Sequence, residues 1–198
     1  MSDVADSQNS GAVDGRRARS ERSKQSIINS ALTLMEEGNL IPTAQQIADR
    51  AGVGIRSFFR HFEDMETLFA TIDEQTGAST EARFLGGDRD GSPEERIQHL
   101  VELRADAYDI ETNKILSTTS QLWRSETLRT NYARYQRGLR KDLEDWLPEV
   151  KALGRQEREA IDAVTSFEMW HRLRYHQKLG KSAAIGVLVG LLSALVKD

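Results

Sequence analysis

Residues 43–62 read TAQQIADRAGVGIRSFFRHF, and their spacing decides the fold. Thr43 stands where a helix cap is wanted, with Gln46 three residues on, the pattern of a capping box. Ala44, Ile47, Ala48 and Ala51 follow at i, i+3, i+4 and i+7, one face of a helix. Gly52 comes four residues after the small Ala48, at a turn that needs a residue tolerant of positive φ. A further helix carries Ile55, Phe58, Phe59 and Phe62 at the same helical spacing. Ala48 lets the two short helices cross closely, and Ile47, Ala51, Val53 and Phe58 pin them. The segment reads as a helix-turn-helix.

The second of these helices has two unlike faces. At about 100° per residue, with Ile55 at 0°, Phe58, Phe59 and Phe62 fall near 300°, 40° and 340°. Arg56, Ser57, Arg60 and His61 fall on the other side, near 100°, 200°, 140° and 240°. The apolar face is the one to bury. The other offers two guanidiniums, a hydroxyl and an imidazole, groups that suit the DNA major groove. Arg can pair with both O6 and N7 of guanine, and Ser and His can reach bases or phosphates.

Outward from this segment the chain reads as helix throughout. Upstream, Ile27, Ile28, Ala31, Leu32 and Met35 predict an amphipathic helix over about Arg22–Glu37, stopped by Gly38. Residues 1–20 are almost without apolar content and read as a disordered tail ending in Arg16, Arg17 and Arg19. Downstream, Asp64 caps a helix with Leu68, Phe69 and Ile72. Residues 86–91, GGDRDG, form a loop. Ser92-Pro93-Glu94-Glu95 starts the next helix, with a weaker one expected from Thr112 to Trp123. Ser125 opens a long helix that ends at Pro148, and another is expected over Arg155–Gln177. The last, over Ser182–Val196, is apolar nearly all round. No segment has strand period.

Composition narrows the classes further. The 198 residues include 38% apolar side chains, fourteen Gly, three Pro and no Cys. A core is affordable, and disulfides, iron–sulfur clusters and thiol nucleophiles are excluded. No metal or cofactor is expected, because His61, His99, His171 and His176 share no ligand spacing. No acid pairs with a His or Ser at a catalytic spacing, so no enzyme is expected. The longest apolar run, Ala183–Val196, is shorter than the roughly 20 residues of a membrane span. With no hydrophobic leader at the start, a cytoplasmic location is expected. The net charge of −4 hides a division. Residues 16–62 hold eight Lys and Arg against four Asp and Glu, while residues 63–198 hold nineteen against twenty-four. A basic N-terminal module on an acidic body points to an anionic partner.

The stretch Arg22–Phe69 resembles the DNA-binding domain of the TetR family of transcriptional regulators. The resemblance rests on Glu36-Glu37-Gly38, on Thr43, on Ile47-Ala48-Asp49-Arg50-Ala51-Gly52-Val53, on Gly54 through Phe62, and on Glu63 through Leu68. Three positions depart from the family pattern. Gly54 replaces the usual Ser cap, Phe59 the usual Tyr, and Met65 the usual Lys. Two phosphate-positioning groups are thereby missing, and the Arg16–Arg19 cluster is a candidate replacement.

The resemblance implies an all-α protein in two parts. Residues 21–66 would be a three-helix DNA-binding domain with a helix-turn-helix, and residues 67–198 a helical effector-binding and dimerisation domain. Thr43, Arg56, Ser57, Phe59, Arg60 and His61 are the expected DNA contacts. A small-molecule effector of unknown identity would meet Arg104, Tyr108, Trp123, Tyr132, Phe167, Trp170 and His171. A homodimer on near-palindromic double-stranded DNA is expected, away from any membrane. Its seam would use the last helix, where Gly186 and Gly190 allow close approach and Leu188 and Leu192 share a face. The protein is expected to be a repressor released by that effector. A DNA-binding protein without an effector, acting through protein partners, fits the same residues.

Overall fold

The structure, a computed structural model, describes residues 6–196, with side chains over 15–196. Among the described residues the regular structure is helical and there is no strand. Contacts divide the chain into two units. The first holds the N-terminal residues to Ile72 together with Asn113–Leu128, and the second holds Asp73–Thr112 and the chain from Arg129.

The first unit is built on α1, Asp6–Glu36. The sequence predicted an irregular stretch over 1–20, yet helix begins at Asp6, and residues 1–5 lie outside the described residues. The extension is a matter of propagation. Once Ile27, Ile28, Ala31 and Met35 are buried, each further turn adds hydrogen bonds without a new nucleus. Side chains help it along, since Arg19 Nε donates to Gly15 O at 3.4 Å and Ser23 Oγ to Arg19 O at 3.1 Å. Residues from Arg16 to Arg22 stay exposed.

Helices α2, Ala44–Arg50, and α3, Ile55–His61, pack on α1 and on each other. Their shared core holds Ile27, Ile28, Ile47, Ala48, Phe58 and Phe62, each without exposed surface apart from traces. Gly52 turns between them at φ +66, where an L side chain would be strained. Ser26 Oγ ties α1 to this turn by donating to Ala51 O at 3.1 Å. Asp64 caps α4, Met65–Leu85, accepting from Thr67 N at 2.8 Å.

Helix α5, Pro93–Thr119, is one helix where two were expected. Its Ser and Thr residues do not break it, because their hydroxyls donate back to the preceding turn. Thr112 Oγ1 reaches Tyr108 O at 2.6 Å and Thr119 Oγ1 reaches Ile115 O at 3.0 Å. Helix α6, Glu126–Trp146, ends before Pro148 as expected, and a 3₁₀ turn, Pro148–Ala152, follows it.

The second unit closes with α7, α8 and α9. The single helix expected over Arg155–Gln177 is broken. It splits into α7, Arg155–Val164, α8, Phe167–His171, and a π-helical turn, Arg172–His176. The break lies at Thr165-Ser166. Ser166 is extended at ψ 160, and its Oγ accepts from Met169 N at 3.3 Å.

Helix α9, Lys181–Val196, buries Ala184, Leu188 and Leu192 within its own unit. This corrects the expected seam at Leu188 and Leu192. The outward face is Ala183, Gly186, Val187, Gly190, Leu191 and Ala194, which recur at three and four. A helix apolar all round gives no sequence signal for which side faces inward.

Candidate nucleic-acid interface and ligand cavity

The outward surface of α3 is built from the inside. Phe58 and Phe62 are fully buried, their rings 5.9 Å apart, and they fix the rotation of the helix. Arg56 and Arg60 are thereby left exposed. Arg60 Nη2 donates to Ser57 Oγ at 3.3 Å, so these two groups act together. Phe59 does not share the burial of its neighbours. It is 53% exposed and stands edge-on to Phe58 at 5.3 Å. Its position near 40° placed it at the rim of the apolar face, where a seven-residue helix has nothing to cover it.

Thr43 and His61 are more committed to the fold than the other expected contacts. Thr43 completes a capping box, its Oγ1 accepting from Gln46 N at 3.2 Å and its own N donating to Gln46 Oε1 at 2.9 Å. Its side chain remains at the surface. His61 is half-buried, with Nε2 buried and without a hydrogen-bond partner. Burial and the adjacent Arg60 charge hold its imidazole below the usual histidine range. Glu21 and Lys24 of α1 also act on it, so His61 faces α1 as well as the outside.

The first unit has a second polar feature that the sequence reading missed. An open groove of about 420 Å³ is lined by Arg22, Gln25, Ser26, Asn29 and Arg50, among others. Gln25 and Asn29 are four apart and hydrogen-bonded at 2.9 Å. Their spacing was legible as one helix face, but Arg50 joins them only through the α1–α2 packing.

The expected ligand residues divide in the second unit. Arg104, Tyr108 and Trp170 line one cavity with Thr165, Leu100 and Leu188. Its volume is about 10 Å³, room for about one water at most. Tyr108 OH donates to Thr165 O at 2.9 Å, and burial pushes its hydroxyl up to about 12. Arg104 donates to Leu139 O at 2.7 Å and to Thr165 O at 3.3 Å. Trp170 Nε1 donates to Asp109 Oδ1 at 2.9 Å.

The other four stand away from the cavity lining. Phe167 is buried against Tyr108 at 5.6 Å, and His171 stacks on Tyr175 at 4.7 Å. Tyr132 OH donates to Glu168 at 3.0 Å. Trp123 belongs to the first unit and is 80% exposed, so it lines no cavity. It sits in the turn after α5, which ends at Thr119 and not at Trp123 as expected. Among the described residues no three His, Cys, Asp or Glu side chains group to hold a metal, and no helix is long and apolar enough to cross a membrane.

Comparison with known families gives a match over part of the first unit. Residues 27–72 match the family described as bacterial regulatory proteins, tetR family. This segment of the chain is thus similar to the N-terminal part of tetR-family regulators. Solved structures are similar over both units. One is a transcriptional regulator from Rhodococcus sp. Rha1, with 16% identity and a TM-score of 0.66, covering 89% of this chain and 95% of that one. Another is a tetR-family transcriptional regulator from Streptomyces coelicolor, with 15% identity and a TM-score of 0.65, covering 87% of this chain and 81% of that one. A comparison with curated proteins gives no match.

Within this TetR-like segment the three departures have plain structural consequences. Gly54 caps α3 without a side-chain hydrogen bond, and its main-chain O instead accepts from Ser57 N at 2.7 Å. Phe59 presents a bare ring where the family pattern has a hydroxyl. Met65 packs half-buried against the core of the first unit and offers no charge. Of the three, only the change at Met65 removes a cation, and the exposed Arg56 and Arg60 remain on α3.

Proposed function

We propose that this protein is a sequence-specific DNA-binding transcriptional regulator, a homodimeric repressor released by a small-molecule effector. The observation that carries the reading is the α3 surface. In a TetR-family helix-turn-helix, a buried Phe58–Phe62 face leaves Arg56, Phe59 and Arg60 outward at the position of the recognition helix. Arg56 and Arg60 read bases, Ser57 orients Arg60, and Thr43, Phe59 and His61 meet the backbone or groove edge. Residues 21–66 serve as the DNA-binding domain, and residues 67–198 hold the effector and the dimer interface.

Two protomers are required by the geometry of DNA. Near-palindromic half-sites about one helical turn apart need two recognition helices held at fixed spacing. The uncovered apolar face of α9 supports that assembly. It gives a self-complementary patch for a two-fold pair, with Gly186 and Gly190 permitting close contact.

The effector acts by population shift. It binds better to the form whose recognition helices are wrongly spaced for the operator, and by linkage the operator weakens the effector to the same degree. Helix α4, continuous from Met65 to Leu85, carries the chain from one unit into the other and transmits the change, and α5 and α6 also cross between the units. The test is affinity selection of genomic DNA fragments with the full chain. Enrichment of one near-palindromic sequence is expected. Recovery of fragments with no shared sequence would refute the assignment.

A further inference from the structure

The strongest unexplained feature of the second unit is the acceptor between Arg104 and Tyr108. Arg104 is 4% exposed and lines a mainly apolar cavity. Its charge is poorly balanced. Asp142, its ion-pair partner, is 3.6 Å away and also holds Arg89 at 2.7 Å. Two guanidiniums therefore share one carboxylate, and Arg104 Nε is buried with no hydrogen-bond partner. A buried cation in such surroundings is costly unless an anion joins it.

What Arg104 and Tyr108 hold instead is a main-chain oxygen. Thr165 O accepts from Arg104 Nη1 at 3.3 Å and from Tyr108 OH at 2.9 Å. Thr165 is also where the chain departs from its own sequence pattern. Ile161, Val164, Phe167, Trp170 and Leu173 are spaced for one uninterrupted helix, yet the helix breaks at Thr165-Ser166. In an unbroken helix Thr165 O would accept from Met169 N. Here that N–H donates to the Ser166 hydroxyl instead. The two donors on α5 thus latch a break that the Ser166 cap supports and the apolar spacing does not.

Resting on the effector reading above, we infer that the effector is a small monocarboxylic acid with an apolar body, and that its carboxylate displaces Thr165 O from Arg104 and Tyr108. The carboxylate supplies the missing negative charge, and its two oxygens match a guanidinium and a hydroxyl. The body enters between Leu100, Trp170 and Leu188. Thr165 O, once released, accepts from Met169 N, and α7 and α8 become one helix. The cavity of about 10 Å³ is the closed state of this site. Opening requires the same segment to move, so binding and the change of shape are a single event. Because α9 packs on α7 and on the π turn, straightening alters the support of the outward α9 face.

The test uses the full chain with benzoate, hexanoate and octanoate, each set against its primary amide. Calorimetry and thermal melting read binding, and hydrogen exchange reads the Met169 amide. At least one acid is expected to bind tenfold or more tighter than its amide and to slow Met169 exchange. Tyr108→Phe keeps the ring and removes one donor, and should weaken the acid several-fold. Arg104→Gln should abolish binding, but it also disturbs a buried network, so Tyr108→Phe is the deciding variant. Ser166→Ala frees Met169 N and should tighten the acid. If no acid binds, if amides bind equally well, or if Tyr108→Phe binds as wild type does, the proposal is overturned. Operator binding separates the two readings. An acid that binds and protects Met169 but leaves operator affinity unchanged removes the release mechanism and keeps the site. Amides that release the operator keep the release mechanism and remove the anion.

Discussion

Replacing Val187 and Leu191 with Glu tests the dimer where the protomer itself leaves surface uncovered. The two residues keep 39% and 40% of their surface. Full burial of such a side chain is worth about 1.5–3 kcal/mol, so the uncovered two-fifths is worth about 0.6–1.2 kcal/mol each. A two-fold interface buries four of them, or about 2.4–4.8 kcal/mol. At about 1.4 kcal/mol per tenfold, losing this weakens the dimer by about 50- to 3,000-fold. Four unpaired carboxylates in the seam push further in the same direction. The protomer should still fold, because each side chain has open surface through which a carboxylate reaches solvent. Circular dichroism should therefore report unchanged helix content, while sedimentation over a concentration series reports a monomer. Leu188→Glu with Leu192→Glu is the contrasting pair. Those leucines are buried in their own unit, and the variant should lose helix content rather than only its partner. A Val187→Glu, Leu191→Glu protein that sediments as a wild-type dimer and binds the operator normally would refute the assignment of this face.

Arg56→Ala and Arg60→Ala should each weaken operator binding by about 1–3 kcal/mol where the contact is bidentate to a base, without changing the melting temperature. Gly52→Ala should destabilise the chain by about 1–2 kcal/mol, read by urea unfolding. No atom lies within 4 Å of the added Cβ, so that cost is the backbone at φ +66 alone. Thr43→Ala should cost about 0.5–2 kcal/mol of stability through loss of the cap, a loss separable from any effect on DNA. His61 and His171 sit below the usual histidine range, through burial first and then through Arg60 and His176 respectively. The unfolded chain therefore binds protons first as pH falls, so stability is whole above about pH 6.5 and declines below it. Thermal melts of His61→Asn and His171→Asn should show a flatter decline, and an unchanged slope would contradict this.

The first unit was legible because its information is local. Thr43 and Gln46 cap each other, Gly52 sits at its turn, and Phe58 and Phe62 take the inner face within 20 residues of chain. Each of these follows from spacing alone. Phe59 was harder, since a residue 40° from the centre of an apolar face is buried or bare according to what lies beside it. The N-terminal extension of α1 was not legible either. Its residues from Arg16 to Arg22 are exposed, and propagation from a neighbouring helix leaves no pattern in the residues it recruits.

The second unit was read less well for a reason that applies to its candidate site as a whole. Helical spacing says which residues share a face, but not which face meets which. Tyr108, Phe167 and Trp170 come together because α5 and α8 pack, whereas Trp123, with the same aromatic character, ends in an exposed turn of the other unit. Leu188 and Val187 are equally apolar neighbours on α9, yet one is buried and the other is not. The break at Thr165 shows the same limit most sharply. The apolar spacing favours a continuous helix, whereas the Ser166 cap and two donors about sixty residues away hold it open. A conflict between local preference and tertiary contact is what a bistable element requires, because neither arrangement is then favoured by every term. The site least visible in the sequence is therefore the one best placed to respond to a ligand.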